Sequence, residues 1–229
     1  MKIVVTSDLH GHLPEIPECD LLLIAGDICP DWYHAPGLTA QKNWQLNWLG
    51  SHFHEWLATV PAKNIVGIAG NHDWAFQMRN PYDKISKLPW TYLQDETVEI
   101  DGLKIFGAPW SKFIGRWAFM LDPHELQKKW NLIPEDVDII MVHGPAYGIN
   151  DLLAYGFGPD ARAGCPNLYE RIVQNKYPNL KLVATGHIHE AYGQVDLHGI
   201  KWINATHMTL EYKPENAPIE FELIRGQSE

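Results

Sequence analysis

The hydrophobic pattern of the chain consists of short apolar runs that alternate with amphipathic stretches. Some runs are rich in β-branched residues and end at glycine or a polar residue, which predicts buried strands. These runs are KIVVT (2–6), DLLLIAG (20–26), NIVGIAG (64–70), DIIMVHG (138–144) and KLVATG (181–186). ETVEID and LKIFGAPW flank Asp101-Gly102, a pair that favours a hairpin turn. HGIKWINA and APIEFELI predict further strands late in the chain.

Helical periodicity appears in three places. Between the second and third apolar runs, one set of residues is spaced as one face of an amphipathic helix: Trp44, Trp48, Leu49, Phe53, Trp56 and Leu57. Residues 166–176 predict a second helix, with Pro166 near its start and Leu168, Ile172 and Val173 on one face. LDPHELQKKW predicts a helix start at Pro123. Alternating strands and helices followed by hairpins indicate a layered α/β sandwich.

Length, composition and charge narrow the class of protein. A chain of 229 residues that is 45% hydrophobic, without a visible linker or repeat, predicts one domain over 1–229. No apolar run approaches the ~18 residues that span a bilayer, and the first residues lack a signal-peptide core, so we expect a soluble, cytoplasmic protein. Three widely spaced cysteines predict neither a disulfide framework nor a zinc knot. A net charge of -10 argues against binding to long nucleic acids.

Side chains that can bind metals follow each of the five apolar runs. They are Asp8, His10, Asp27, Asn71, His143, His187 and His189. Ligands gather at the carboxyl ends of strands in open α/β sheets, so these residues predict one shared site. Imidazole, carboxylate and carboxamide ligands without thiolate suit Mn, Fe or Zn. Seven ligands exceed the needs of one tetrahedral ion and favour a two-metal centre.

Each of these side chains, taken alone, also fits an ordinary structural role. A single histidine after a strand is more often exposed or hydrogen-bonded, and only the ordered set of five segments favours a metal centre. The other histidines are expected at the surface or in packing: His34, His52, His54, His124, His198 and His207. His12 is a further candidate to line the site. Core packing is the favoured role of Trp32, Trp74 and Trp110, with stacking on an aromatic substrate group as the alternative.

The ordered motifs Asp8-x-His10, Gly26-Asp27, Gly70-Asn71-His72-Asp73, His143-Gly144 and Gly186-His187-Ile188-His189 resemble the calcineurin-like metallophosphoesterase superfamily. A narrower likeness, almost end to end, is to the metallophosphoesterase-domain-containing subfamily, which is related to the class III cyclic nucleotide phosphodiesterases. It is carried by KKWNLIPEDVDIIMVHGPAYG, TGHIHEAYG and INATHMTLEYKPENAPIEFEL. The subfamily often has His-Gly-Pro-Pro where this chain has HGPA. Some members lack the histidine that stands here as His187. This chain retains it, which implies a complete set of metal ligands.

The resemblance implies a four-layer α/β/β/α metallophosphoesterase sandwich with two divalent ions, among which Mn is favoured. It implies that Asp8, His10, Asp27 and His189 hold one ion, and that Asp27, Asn71, His143 and His187 hold the other. Asp27 would bridge them, and a hydroxide between the ions would attack phosphorus. His72 is the candidate general acid or charge stabiliser, and Asp73 is a candidate to orient it.

Three functions remain open from the sequence. The favoured one is a metal-dependent phosphodiesterase that acts on a small diester, with cyclic nucleotides as one candidate class. A phosphomonoesterase or protein phosphatase is the second, and a non-catalytic binding module is the third. The sequence does not decide the native metal, the substrate or the oligomeric state.

Overall fold

Two β-sheets packed face to face form the centre of the fold. The computed structural model describes residues 1–77, 85, 87–154, 161–174 and 177–223. The first sheet has the order β13-β1-β2-β3-β4, with strands Ile219–Glu222, Lys2–Thr6, Cys19–Ala25, Ala62–Ile68 and Thr91–Tyr92. The second has the order β11-β12-β10-β9-β6-β5, with strands Gly193–Leu197, Ile200–Asn204, Leu182–Thr185, Ile139–Val142, Leu103–Ala108 and Glu96–Ile100. Short strands β7 (Ser111–Lys112) and β8 (Met120–Leu121) pair with each other.

Alternation along the strands divides the core into three layers. Ile3 and Val5 of β1 pack with Ile139 and Met141 of β9 in a dry layer between the sheets. The intervening Val4 faces the other way, into a second layer on the outer face of the first sheet, and Ile140 of β9 faces a third layer on the outer face of the second sheet. Both faces of each central strand are therefore buried, which explains why the five apolar runs are nearly continuous.

Helices cover the outer face of each sheet. Leu38–Trp48 (α1) and His54–Thr59 (α2) pack outside the first sheet, while Pro123–Trp130 (α3) and Pro166–Gln174 (α4) pack outside the second. Short 3-10 helices lie at Trp74–Gln77 and His189–Ala191. This arrangement confirms the predicted α/β/β/α sandwich. No helix in the described ranges is long and apolar enough to cross a membrane.

The predicted amphipathic helix is present, but it differs in two respects. A π-helical segment, Leu49–Phe53, joins α1 to α2 without a break. The most buried stripe begins with Gln41 and Gln45 and continues through Leu49, Phe53 and Leu57, whereas Trp44, Trp48 and Trp56 are only partly buried. Hydrophobic periodicity cannot detect a buried face that is polar at one end.

The remaining element predictions are confirmed where the structure describes them. All five apolar runs form strands, and β5 and β6 form the predicted hairpin. Asp101 (φ 49°) and Gly102 (φ 73°) both have the positive φ that a tight two-residue turn requires. Asp122 caps α3, as its side chain accepts a hydrogen bond from the Glu125 amide at 3.0 Å. Residues 175–176 of the predicted second helix and Ile224 of the last predicted strand lie outside the described residues.

Candidate metal centre

The carboxyl ends of the central strands bring the seven candidate ligands together. Strands β1, β2 and β3 run parallel in one sheet, as do β9 and β10 in the other, and the loops that follow them meet at one edge of the sandwich. Backbone hydrogen bonds join these loops, for example from the Asp8 amide to the Gly26 carbonyl at 2.9 Å and from the His10 amide to the Asp27 carbonyl at 3.0 Å. The shared site expected from the sequence therefore exists as a geometric cluster.

One group of ligand atoms comes from Asp8, His10 and His189, which are all buried. Their potential ligand atoms lie within 4.8 Å of one another. Nε2 of His189 is 3.4 Å from Oδ1 of Asp8. A carboxylate and two imidazoles at this separation match the ligand set of a divalent transition metal.

A second group comes from Asp27, His143 and His187, whose ligand atoms also lie within 4.8 Å of one another. Nε2 of His143 is 3.2 Å from Oδ2 of Asp27 and 2.9 Å from Oδ1 of Asn71. The ring of His187 lies edge-on to that of His143, with centroids 5.0 Å apart. Asn71 therefore adds a carboxamide oxygen to this group.

Asp27 lies between the two groups. Its Oδ2 atom is 3.2 Å from Nε2 of His143 in the second group and 3.9 Å from Nε2 of His10 in the first. Its other oxygen, Oδ1, accepts a hydrogen bond of 2.7 Å from the His72 amide. One carboxylate thus faces both sets of ligands and is held in place by the loop that carries Asn71.

The hydrogen bonds of His143 and His189 engage Nδ1 of each ring and leave Nε2 to face the candidate metal centre. Nδ1 of His143 donates to the Ala25 carbonyl at 2.9 Å, and Nδ1 of His189 donates to the Thr209 carbonyl at 3.2 Å, because a carbonyl can only accept. Each ring thereby directs Nε2 at the centre, the nitrogen that would give up its proton to bind a metal ion. Neither buried ring nitrogen of His10 makes a close hydrogen bond, since the facing carboxylate oxygens lie 3.5 Å from Nδ1 (Asp31) and 3.9 Å from Nε2 (Asp27). A cation beside His10 would satisfy an imidazole that is otherwise costly to bury.

Backbone strain is concentrated at the ligands. Asp8, His10, Asp27 and His187 have φ values of 52°, 43°, 51° and 72°, in the left-handed region that non-glycine residues rarely occupy. Each such residue costs on the order of 1–3 kcal/mol, and such strain clusters at functional sites. The surrounding chain is tightly packed, since a Cβ at Gly186 would collide with the side chains of Ser7 and Asp8.

The electrostatics of the centre favour cations. Burial alone would raise the pKa of Asp8, but the hydrogen bond from His189 and the charge of His143 outweigh it and lower the pKa to about 2. The pKa of Asp27 is likewise well below its usual range, because His143 outweighs the effect of burial. Burial and the neighbouring His143 lower the pKa of His187 to about 3. Two buried carboxylates are therefore ionised beside a neutral imidazole, which is ready to bind a metal.

His72 sits at the edge of both groups with its ring fixed on three sides. Nδ1 is 2.7 Å from Oδ2 of Asp31, the ring of Trp117 stacks on it with centroids 4.1 Å apart, and the ring of His10 meets it edge-on at 4.7 Å. Burial would lower the pKa of His72, but the charges of Asp27 and Asp31 outweigh burial and raise it. The sequence offered one signal for Asp31, its place in the loop that carries Asp27.

Asp73 has a different role from the one that the sequence suggested. Its carboxylate accepts hydrogen bonds from the amides of Ile28 (3.0 Å), Cys29 (2.8 Å) and Gly70 (2.7 Å). The expectation that Asp73 orients the ring of His72 is therefore wrong, because a buried acceptor is satisfied first by the amides around it. Asp73 fixes the loops after β2 and β3 to each other.

Gln45 positions the His72 loop from the helix side. Its side chain is fully buried; Nε2 donates to the His72 carbonyl at 2.8 Å and to the Pro30 carbonyl at 3.2 Å, while Oε1 accepts from the Ala75 amide at 3.0 Å. One side chain thereby satisfies three backbone groups in the loops of the centre. Sequence analysis missed it, since glutamine on a helix is usually exposed.

Two further residues lie beside the first group of ligands. The ring of Tyr212 is 5.1 Å from that of His10 and 4.8 Å from that of His189, and its φ of 57° is another left-handed value. His12 lines a cavity of about 310 Å³ together with His10 and Tyr212. The sequence raised His12 as a candidate but gave no signal for Tyr212.

The side chains expected outside the centre lie outside it. His34, His52, His54, His124 and His198 are exposed, and His207 is buried in packing against Asn216. Trp110 packs against the core, and its Nε1 atom donates a hydrogen bond to Oδ1 of Asp95 at 2.7 Å. Trp32 and Trp74 line a cavity beside Asp31.

Curated relatives share the chain almost end to end. It is 32% identical over 248 residues to human metallophosphoesterase domain-containing protein 1, and this alignment covers 97% of this chain and 71% of the relative. It is 28% identical over 246 residues to UPF0046 protein C25E10.12 of Caenorhabditis elegans, and this alignment covers 97% of this chain and 81% of the relative. A solved archaeal phosphodiesterase aligns with 97% of this chain and all of its own, at 16% identity and a TM-score of 0.37.

A family model decides the classification. The model described as calcineurin-like phosphoesterase matches residues 1–191, a range that contains every candidate ligand from Asp8 to His189. The human relative agrees with the subfamily that the sequence motifs indicated. The chain belongs to the calcineurin-like phosphoesterase family.

Proposed function

We propose that this protein is a two-metal phosphodiesterase that hydrolyses small phosphate diesters, with cyclic nucleotides as one candidate class. The observation that carries the proposal is the position of Asp27, whose Oδ2 atom lies between Nε2 of His10 and Nε2 of His143. A carboxylate shared by two sets of N and O ligands is the arrangement that a two-metal centre requires, with ions about 3.5–4 Å apart.

The residues divide into two sets around that carboxylate. Asp8, His10 and His189 would hold one ion, and Asn71, His143 and His187 the other, with Asp27 common to both. When bound, two divalent ions supply charge stabilisation for phosphoryl oxygens and a water acidified for attack, and Mn is the favoured metal. The left-handed backbone at Asp8, Asp27 and His187 supports this assignment, because it holds the side chains at fixed positions before any ligand binds.

His72 is the proposed general acid. Since Nδ1 is engaged with Asp31, Nε2 is the nitrogen left to give a proton to the leaving oxygen. The charges of Asp27 and Asp31 outweigh burial and raise the pKa of His72, which favours the protonated ring that a general acid requires. The stacked Trp117 restricts ring rotation, so the proton is held in one direction.

Charge near the centre favours a diester over a monoester. A phosphomonoester carries close to two negative charges near neutral pH, whereas a diester carries one. Neither the cavity beside Asp31 nor the one beside His10 has lysine or arginine among the described residues that line it. Two metal ions alone therefore suit the monoanion better, and the net charge of -10 disfavours larger polyanions.

A substrate panel tests the proposal. Purified protein with added Mn is assayed on bis-p-nitrophenyl phosphate, p-nitrophenyl phosphate and 2′,3′- and 3′,5′-cyclic nucleotides. We expect hydrolysis of the diester and of at least one cyclic ester, with a higher kcat/KM than for the monoester. A preference for the monoester would assign the protein as a phosphomonoesterase, and the absence of hydrolysis with both metal sites filled would assign it as a binding module.

A further inference from the structure

A second cavity adjoins the candidate metal centre and is walled by aromatic rings. Its volume is about 320 Å³, near the lower end of the ~300–1,000 Å³ typical of small-molecule sites. The walls are formed chiefly by Trp32, Tyr33, Leu38, Trp74 and Trp117. A space of this size accommodates a ring system rather than a long chain.

The rings around this aromatic cavity are exposed to an unusual degree. Trp32 is 40% exposed, Trp117 39% and Tyr33 73%. Uncovered apolar surface gathered at one place marks a binding site more often than scattered exposed residues do. Trp32 is nonetheless well anchored, because its amide donates to Oε1 of Gln41 at 3.1 Å and its ring packs against that of Trp44 at 5.9 Å.

The aromatic cavity lies beside the proposed acid and shares two neighbours with it. Asp31 lines the cavity, and its Oδ2 atom lies 2.7 Å from Nδ1 of His72. Trp117 also lines the cavity, and its ring stacks on the ring of His72. If His72 protonates the leaving oxygen, the group attached to that oxygen lies near Trp117, whose ring stacks on the imidazole. The aromatic cavity is therefore within reach of the leaving group.

The charges of the aromatic cavity exclude a second phosphate as its occupant. Asp31 is the one acidic side chain in the wall, and the wall has no basic side chain among the residues that the structure describes. An anionic group would be repelled by Asp31, whereas a flat neutral ring stacks on tryptophan without a charge partner.

We propose, on the basis of the proposed function, that the aromatic cavity binds a planar aromatic group carried by the leaving alcohol of the substrate. The substrate class is then a phosphate diester whose leaving group bears a nucleobase or another flat ring. Trp32 is the specificity-determining residue, since it lines the cavity and its described contacts are with Gln41 and Trp44 rather than with His72 or a candidate ligand.

Matched diesters test this inference. Wild-type protein with Mn is assayed on the methyl 2-phenylethyl and methyl 2-cyclohexylethyl diesters of phosphate, with release of 2-phenylethanol or 2-cyclohexylethanol as the readout. These two leaving alcohols differ in flatness but little in acidity. We expect kcat/KM to favour the phenyl ester by about 3- to 10-fold, the size of one aromatic stacking contact. The methyl esters of adenosine 5′-phosphate and ribose 5-phosphate form a second pair, which shows whether a nucleobase is accepted as the flat ring.

Variants assign the preference to the aromatic cavity. Trp32→Leu keeps apolar bulk but removes the flat surface, so the phenyl-to-cyclohexyl ratio should fall to about one. Phe113→Ala is the control, because Phe113 is an exposed aromatic residue (56%) that is not part of the cavity wall, and the ratio should persist. Equal rates for the two esters in the wild type, or a ratio unchanged by Trp32→Leu, would overturn the inference.

A binding measurement separates this inference from the proposed function. Calorimetry compares 2-phenylethylphosphonate with 2-cyclohexylethylphosphonate, neither of which is hydrolysed. Tighter binding of the phenyl compound, lost in Trp32→Leu, supports the cavity even if no ester is turned over. Hydrolysis of both esters without any preference leaves the proposed function intact and rejects the cavity alone.

Discussion

Oδ2 of Asp31 lies 2.7 Å from Nδ1 of His72, and both side chains are largely buried. This contact fixes the orientation of the His72 ring, so that Nε2 points away from Asp31. Removing the charge while keeping the shape, in Asp31→Asn, should lower kcat by about 10- to 100-fold, the usual effect of losing the partner that orients a functional imidazole. Steady-state kinetics together with metal analysis provides the measurement.

The metal content of Asp31→Asn is informative in itself. Ligand atoms of His10, Asp31 and His72 also lie within 4.8 Å of one another, so this trio is an alternative metal group. We expect the variant to retain its ions. Loss of an ion would mean that Asp31 is a ligand and that the assignment of His10 to Asp8 and His189 needs revision.

Substitution of His72 tests the proposed acid. His72→Ala should lower turnover by about 10²–10⁴-fold, which is the usual contribution of a general acid. Metal content should remain at about two ions per chain, as expected for a two-metal centre. If the variant instead lost its metal, His72 would be a ligand rather than an acid.

Gln45 carries a prediction about stability. Gln45→Leu removes the hydrogen bonds to the His72 and Pro30 carbonyls and to the Ala75 amide, and each buried group left unsatisfied costs about 1–3 kcal/mol. We expect the free energy of unfolding, measured by urea denaturation, to fall by at least about 3 kcal/mol. Asn43→Ala, on the exposed side of the same helix, is the matched control and should change it by less than about 0.5 kcal/mol. Equal effects of the two substitutions would contradict the role given to Gln45.

His187 and His189 should affect different ions. His187→Ala is expected to weaken the ion held with Asn71 and His143, and His189→Ala the ion held with Asp8 and His10. Crystals of each variant grown with Mn, examined by anomalous scattering, show which position is lost. Loss of the same ion in both variants would refute the division, and two fully occupied ions in both would remove these residues from the centre.

Sequence patterns predicted the frame of the centre well. Strands buried on both faces produce apolar runs, and short loops at their carboxyl ends carry Asp8, Asp27 and His143 to one edge of the sandwich. These features are local in sequence. Parallel pairing then follows from the alternation of strands and helices, so the convergence of the ligands could be expected before their distances were known.

The residues around the ligands were much harder to predict. Asp31, Gln45 and Tyr212 act through contacts with residues distant in sequence, such as the 41-position separation of Asp31 from His72. Gln45 lies on a helical face that becomes buried only because the His72 loop packs over it. Asp73 was given the wrong partner because its place beside His72 in the sequence suggested contact, whereas its carboxylate turns towards the amides of the neighbouring loop.

Metal removal tests the central claim most directly. Protein dialysed against a chelator and verified as metal-free by elemental analysis is assayed on bis-p-nitrophenyl phosphate, before and after titration with Mn. The two ligand groups that share Asp27 predict no hydrolysis without metal and recovery that saturates at about two ions per chain. Full activity in the verified metal-free protein would contradict the account.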